Sequence, residues 1–302
     1  MISLDLQPVT PGTCQRIAFG HRIQYRMKSR VPVSAVIITK NAEAHLDQCL
    51  GSLALCSEIV VLDSGSTDQT REIALRHGAS WHESAFEGYG PQKCRAVKLA
   101  SHDWILSVDA DEVLDHGAVT AIAGTDWPAA DLLTCWRIRR RTFIGDREIK
   151  HGHWSTERPV RIFNRLVTGV EPVLVHESVR PTTRVVDLPG SLLHYSYRDL
   201  SEIIRLDYHR LKALRYRRTD RRAGGGLLAL RAAWAGFHSY VIRAGCLEGG
   251  AGVVIALAAA VNATMGLAMA SETEAAKPRV VPGRLQPVPR KVGGTVVYPK
   301  TA

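Results

Sequence analysis

No two of the six cysteines, Cys14, Cys49, Cys56, Cys94, Cys135 and Cys246, form a C-x-x-C pair. A zinc site and a disulfide framework are therefore both poorly supported, and the thiols are expected to be reduced, in a cytosolic protein. Cys49 and Cys56, seven apart, are expected on one helical face as core filler. The N-terminus lacks a basic start followed by an apolar stretch, so no secretory signal is expected. Acids are in the minority, with 29 Asp and Glu against 39 Lys and Arg, and the net charge of +10 favours an anionic partner: nucleic acid, an acidic membrane or a phosphorylated sugar. Aromatics make up only 6% and do not interleave with cations as base-stacking surfaces require, which counts against nucleic acid. The hydrophobic fraction of 45% in 302 residues is enough for a full core, in one large domain or two modest ones.

What the chain does have is Trp104-Ile105-Leu106-Ser107-Val108-Asp109-Ala110-Asp111-Glu112, an apolar run that ends in carboxylates. A strand tip aims its last side chains into the crevice where open α/β sheets bind ligands, so Asp109 and Asp111 can face one divalent cation and, through it, a nucleotide diphosphate. Three acids within four residues repel one another, and a bound cation or wide exposure to water is expected to relieve them. The competing explanation is a helix N-terminus, where acids are favoured anyway.

Other segments supply the context. Val33–Ile38 is a continuous run suited to a parallel strand covered on both faces, followed by a helix carrying Ala44, Leu46, Leu50, Leu53 and Ala54. Ile59–Leu62 is a second strand ending at Asp63, and the turn cluster Ser64–Asp68 caps a helix starting near Gln69. Ala79–His82 reads as a short strand and Tyr89–Ala100 as a helix leading into the acidic strand. This alternation predicts an α/β fold with a mostly parallel, Rossmann-like sheet flanked by helices. Leu132–Arg141, Arg158–Arg165 and Val173–Val179 read as further strands of a mixed half. Leu200–Arg222 reads as a basic helix with Ile203, Ile204, Leu211 and Leu214 inward and Arg205, Arg210, Lys212 and Arg215 among those outward, broken by Gly224-Gly225-Gly226. Residues 251–270 are almost wholly apolar, and a bilayer span, an interfacial helix and a packing helix all remain open. The expected division is a weakly structured extension over 1–30, a nucleotide-binding half over 31–125, an acceptor half over 126–199, basic and apolar helices over 200–272, and a disordered tail over 273–302.

The order of Thr39-Lys40-Asn41-Ala42-Glu43, then Asp63-Ser64-Gly65-Ser66-Thr67-Asp68, then Asp109-Ala110-Asp111-Glu112, each after a strand, resembles family 2 glycosyltransferases of the GT-A fold. Val175-His176-Glu177 and Gly190-Ser191-Leu192-Leu193-His194-Tyr195 extend the resemblance toward bacterial lipopolysaccharide-core β-1,4-glucosyltransferases, over roughly residues 31 to 250. The resemblance implies an inverting, metal-dependent transfer of a hexose, glucose from UDP-glucose first, to a lipopolysaccharide-core or other lipid-linked glycan. It implies that Thr39, Glu43 and Asp63 hold the nucleoside, and that Asp111 binds Mg²⁺ or Mn²⁺ while Asp109 either joins it through water or holds the ribose. Lys93 would add positive charge beside the diphosphate, although Cys94 stands where the family usually has Asn.

Inversion needs a carboxylate to take the acceptor proton, and Glu177, an acid in an apolar segment, is the candidate; a Glu paired with a nearby arginine is the alternative. His176 and His194 are candidate phosphate or metal neighbours or packed histidines, Arg158 and Arg161 lie on the expected acceptor side, and Trp154 can stack on a sugar or fill core. The basic helix and the apolar segment together suit the cytoplasmic face of the inner membrane, peripherally bound. A nucleotidyltransferase acting on a sugar phosphate could use the same carboxylates, but Thr39-Lys40-Asn41 lacks the glycine-rich loop that chemistry uses. A basic nucleic-acid-binding protein is the remaining alternative.

Overall fold

The computed structural model describes residues 29–272, apart from 156 and 205, and beyond them two strand pairs: β1 (Gln15–Phe19) with β2 (Arg22–Arg26), and β12 (Arg290–Val292) with β13 (Thr295–Val297). Cys14 and most of the expected N-terminal extension and C-terminal tail lie outside the described residues.

The β-branched run becomes β3 (Val31–Thr39), the centre of the parallel half. It lies between β4 (Cys56–Asp63) and β6 (Trp104–Ser107), and β5 (Ser80–Glu83) extends the sheet beyond β4, all parallel. The crossovers are α1 (Glu43–Ser52), α2 (Thr70–Arg76) and α3 (Tyr89–Leu99). Cys49 is buried in α1, but Cys56 opens β4, so the two do not share a helical face; both fill the core.

The other half is mixed. β10 (Val160–Asn164) runs antiparallel between β6 and β8 (Thr134–Ile144), and β11 (Arg184–Tyr197) pairs parallel with β8. β7 (Glu112–Leu114) closes the order β5-β4-β3-β6-β10-β8-β11-β7, with β9 (Arg147–Ile149) hairpinned to β8. The acidic run is therefore not one strand: β6 stops at Ser107, and Glu112 starts an antiparallel strand beside β11.

Strand alternation sorts the core into two layers. Val33, Ala35 and Ile37 of β3 pack with Leu46 and Leu50 of α1 and with Val119 and Ile122 of α4 (His116–Ala123). On the opposite face Val36, Val60, Ile105 and Phe163 meet Ala96 and Val97 of α3. Trp104, Trp127 and Trp136 close one end of the first layer, with ring centroids 5.3–5.5 Å apart.

Two further expectations fail. Residues 173–177 form no strand; apart from an isolated bridge between Val170 and Val179, the segment is a loop, and Leu174 and Val175 are buried by packing rather than by ladder bonds. The basic helix begins later than predicted: a 3₁₀ turn over Leu200–Ile203 precedes α5 (Leu206–Arg218), and the shifted phase leaves Ile204 and Leu214 exposed while Lys212 is buried and donates to the Asn262 carbonyl. Arg205 lies outside the described residues.

After the glycine run come α6 (Gly225–Phe237), a π turn over His238–Ile242 and α7 (Gly250–Ser271). α7 is long and apolar enough to cross a membrane, with mean hydropathy 2.0, yet here α5 and α6 both pack on it. Glu248 fastens this helical part to the sheet. Its buried carboxylate accepts the amides of Lys150 and His151 at 3.0 Å, His151 Nδ1 at 2.8 Å and Arg147 Nη2 at 2.9 Å.

Candidate functional site

β3, β4 and β6 run parallel side by side, so their C-terminal ends share one edge of the sheet, where open α/β folds bind ligands. At the tip of β3, Thr39 Oγ1 donates to Asp63 Oδ1 at 2.7 Å, and the amides of Gly65 and Ser66 donate to Asp63 Oδ2 at 2.7 and 2.6 Å. Ser66 Oγ adds a fourth bond. Burial alone would raise the Asp63 carboxyl, but the bonds from Ser66, Thr39 and Gly65 hold it below its ordinary value. Asp63 thus organises the Ser64–Ser66 turn that walls the crevice. Glu43 Oε2 accepts the Gln69 amide at 2.9 Å and Asp68 accepts the Glu43 amide, so the ends of α1 and α2 cap each other. Gln92 of α3 reaches Ser64 Oγ with its Nε2 while its buried Oε1 has no partner.

The turn after β6 holds the charged centre. Lys93 Nζ lies 2.7 Å from Asp109 Oδ1 and 2.8 Å from Glu177 Oε1. Arg161 Nη2 bonds Asp109 Oδ2 at 2.7 Å and Glu112 Oε1 at 2.5 Å, and Arg140 Nε lies 3.0 Å from Glu112 Oε1. Glu112, fully buried, also accepts the Asp109 amide through Oε2 at 3.0 Å, and Arg140 continues to Glu157 at 2.8 Å.

Burial opposes ionisation throughout this cluster, yet Arg161 and Lys93 hold Asp109 well below the usual carboxylate range, and Asp109 and Glu177 in turn raise Lys93. Three cations of the chain itself, Lys93, Arg140 and Arg161, therefore neutralise Asp109 and Glu112.

Asp111 is half-buried, with His194 Nε2 3.5 Å from its Oδ1. The register of β7 on β11 places His194 opposite Glu112, and the Tyr195 amide donates to the Asp111 carbonyl at 2.9 Å. Among the described residues no group of three or more His, Cys, Asp or Glu suited to a metal occurs. A cation carried in on a diphosphate needs only one or two protein ligands, and a carboxylate beside an imidazole offers those.

The Glu177 loop is seated by α3. Gly88 has φ +124°, the amides of Tyr89 and Gly90 donate to the carbonyls of Leu174 and Val173 at 3.0 Å, and a Cβ on Gly90 would meet Glu171 and Val173 backbone at 2.3–2.6 Å. His176 adopts φ +55° and its ring meets the Tyr208 hydroxyl at 3.0 Å. Burial, with Lys212 and Arg215 nearby, pushes His176 down to about 4. Arg215 also anchors the loop through the Val175 carbonyl at 2.7 Å.

The structure thus brings Lys93, Asp109, Arg161 and Glu177 together, with Asp111 and His194 in the same turn region. It turns others elsewhere: Arg158 pairs with the exposed Asp187 at 3.3 Å, beside Arg137, and Trp154 packs on Tyr197. Sequence reading missed Arg140 and the buried role of Glu112. The inward alternation of Arg140 within the run from Arg137 to Arg141 was the available signal.

Residues 34–175 match the Glycosyl transferase family 2 model. This region is a family 2 glycosyltransferase domain. The mixed sheet with its flanking helices is the GT-A architecture expected of it. The chain is 34% identical over 176 residues to the lipopolysaccharide core biosynthesis glycosyltransferase LpsC of Rhizobium meliloti (strain 1021), covering 56% of this chain and 65% of that one. An uncharacterized glycosyltransferase of Rickettsia bellii (strain RML369-C) is 42% identical over 83 residues, 27% of this chain and 28% of its own length. Among solved structures, S. aureus TarS 1-349 in complex with UDP-GlcNAc aligns over 61% of this chain and 65% of that chain, with TM-score 0.43 and 18% identity. The chain therefore spans less than two thirds of the relatives it matches.

Proposed function

We propose that this glycosyltransferase moves a hexose, glucose from UDP-glucose first, onto a lipopolysaccharide-core or other lipid-linked glycan at the cytoplasmic face of the inner membrane, with inversion at the anomeric carbon. The observation that carries the reading is the Lys93 ammonium, held between Asp109 at the tip of β6 and Glu177 in the α3-seated loop. It joins a strand-end acid suited to the donor with an acid suited to the acceptor. The 34% identity to a lipopolysaccharide core glycosyltransferase supports the choice of acceptor.

In this reading Thr39, Asp63 and its turn, and Glu43 form the nucleoside end of the crevice. Lys93 and Arg161 place positive charge where the leaving diphosphate develops negative charge. Glu177 accepts the proton of the attacking acceptor hydroxyl as the oxygen bonds to the anomeric carbon and the bond to UDP breaks. Asp111 with His194 would hold a divalent cation, which when bound neutralises the diphosphate. Diphosphate release from a panel of nucleotide sugars with Mn²⁺ or Mg²⁺, with and without core oligosaccharide, tests this. Asp111→Ala should abolish release, and Glu177→Gln should slow transfer on the order of 100-fold or more with nucleotide affinity nearly unchanged. Equal loss of nucleotide binding in Glu177→Gln would make Glu177 structural.

A further inference from the structure

α6 turns its small side inward and its large side out. A Cβ on Gly236 would stand 3.6 Å from the Ala256 carbonyl of α7 and 4.0 Å from Ala260 Cβ, so this face packs closely on α7. The opposite face carries Leu227, Leu230, Trp234 and Phe237, spaced three, four and three apart, and Val241 continues the row through the π turn. No residue of α6 is buried, and Leu230 and Trp234 are 67% and 61% exposed. Leu257 of α7, 61% exposed, adds to the exposed apolar surface of the two packed helices. A contiguous apolar face of this kind on a soluble surface marks a contact with something else.

Charge decides what that is. Between Asp207 and Glu248 the sequence has nine lysines and arginines and one acid, Asp220. Arg218, Arg221 and Arg222 are exposed just before α6, and Arg231 is exposed within it. A second copy docking through the same face would set this cationic flank against itself. A surface of lipid phosphates over acyl chains complements both features.

We propose that the outer face of α6, continued to Ile242, lies in the headgroup boundary of an anionic bilayer, with the flanking arginines on lipid phosphates. α7, the more apolar helix, is the prop behind it rather than the inserting element. The proposal rests on the lipid-linked acceptor reading for its purpose, while vesicle binding and sugar-donor turnover can be measured separately.

The test is co-sedimentation of the full chain with vesicles of phosphatidylethanolamine and phosphatidylglycerol, against phosphatidylcholine alone. Wild type should pellet with the anionic vesicles, less with the neutral ones, and less as salt is raised. Leu230→Glu/Trp234→Glu should weaken anionic-vesicle binding on the order of 10-fold or more, with an unchanged melting temperature. The milder Leu230→Ser should fall between, and Leu166→Glu, at an exposed site elsewhere, should bind as wild type. Wild-type binding by the double variant, or a wild type that binds neither vesicle, overturns the proposal, as does a solution dimer that the double variant dissolves. Should vesicle binding depend on α6 while no nucleotide sugar is turned over, the transfer reading fails and this surface stands.

Discussion

Lys93, like Arg161, is a buried cation that bridges two carboxylates, so removing its charge strands both. Lys93→Met should cost about 3–5 kcal/mol of stability, read from urea unfolding, because breaking a buried pair leaves uncompensated charge. Lys93→Arg should keep part of that stability and still lose turnover, since a planar fork cannot replace a point charge between two carboxylates.

The same cluster sets a pH window. Asp109 is depressed in the folded state, so its contribution is present above its ordinary value of 3.8 and is lost as pH falls. Lys93 is raised, so its contribution is present below its ordinary 10.5 and is lost as pH rises through the folded value. Melting temperature against pH should therefore plateau between these limits and fall on both sides. In Asp109→Asn the acid-side fall should be shallower. The motif acids at 109, 111 and 112 were legible in sequence because they follow an apolar run. Their partners Arg140 and Arg161 were not legible as such, since two other strands deliver them from distant positions.

At the scale of elements, the loop over residues 171–180 shows where periodicity misleads. Val173, Leu174 and Val175 look like a strand because they are apolar and β-prone, but no neighbouring ladder takes up their backbone, and α3 buries them instead. Gly90 is what permits that contact. Gly90→Ala should cost about 1–3 kcal/mol by overpacking, and should lower turnover beyond what the lost stability explains, because the loop that presents Glu177 must shift. Thermal unfolding paired with turnover at a temperature where the variant is fully folded separates the two effects. By contrast β3, β4 and β6 were readable within a few residues, since strands covered on both faces need uninterrupted apolar sequence. The face of α5 was misassigned because the 3₁₀ turn at Leu200–Ile203 delays the helix, and a few residues of delay rotate every later side chain.

For the whole molecule, the bond set at Glu248 ties the helical part to the sheet, alongside the bond from Arg215 of α5 to the Val175 carbonyl. Burial disfavours its charge, but His151, Arg147 and the Lys150 and His151 amides keep its carboxyl below its ordinary value. Glu248→Gln should loosen this joint, and hydrogen exchange should show faster amides in α6 and α7 with those of β3 and β4 unchanged. Sequence reading found the apolar segment from its composition but passed over α6, whose alanines and glycines conceal a helix that keeps its large residues for the outside. With the joint intact, the crevice stands at a fixed height above whatever plane α6 rests on. On the proposed reading the protein works as a gauge of acceptor length, and Glu248→Gln, by loosening this joint, should broaden the lengths it accepts.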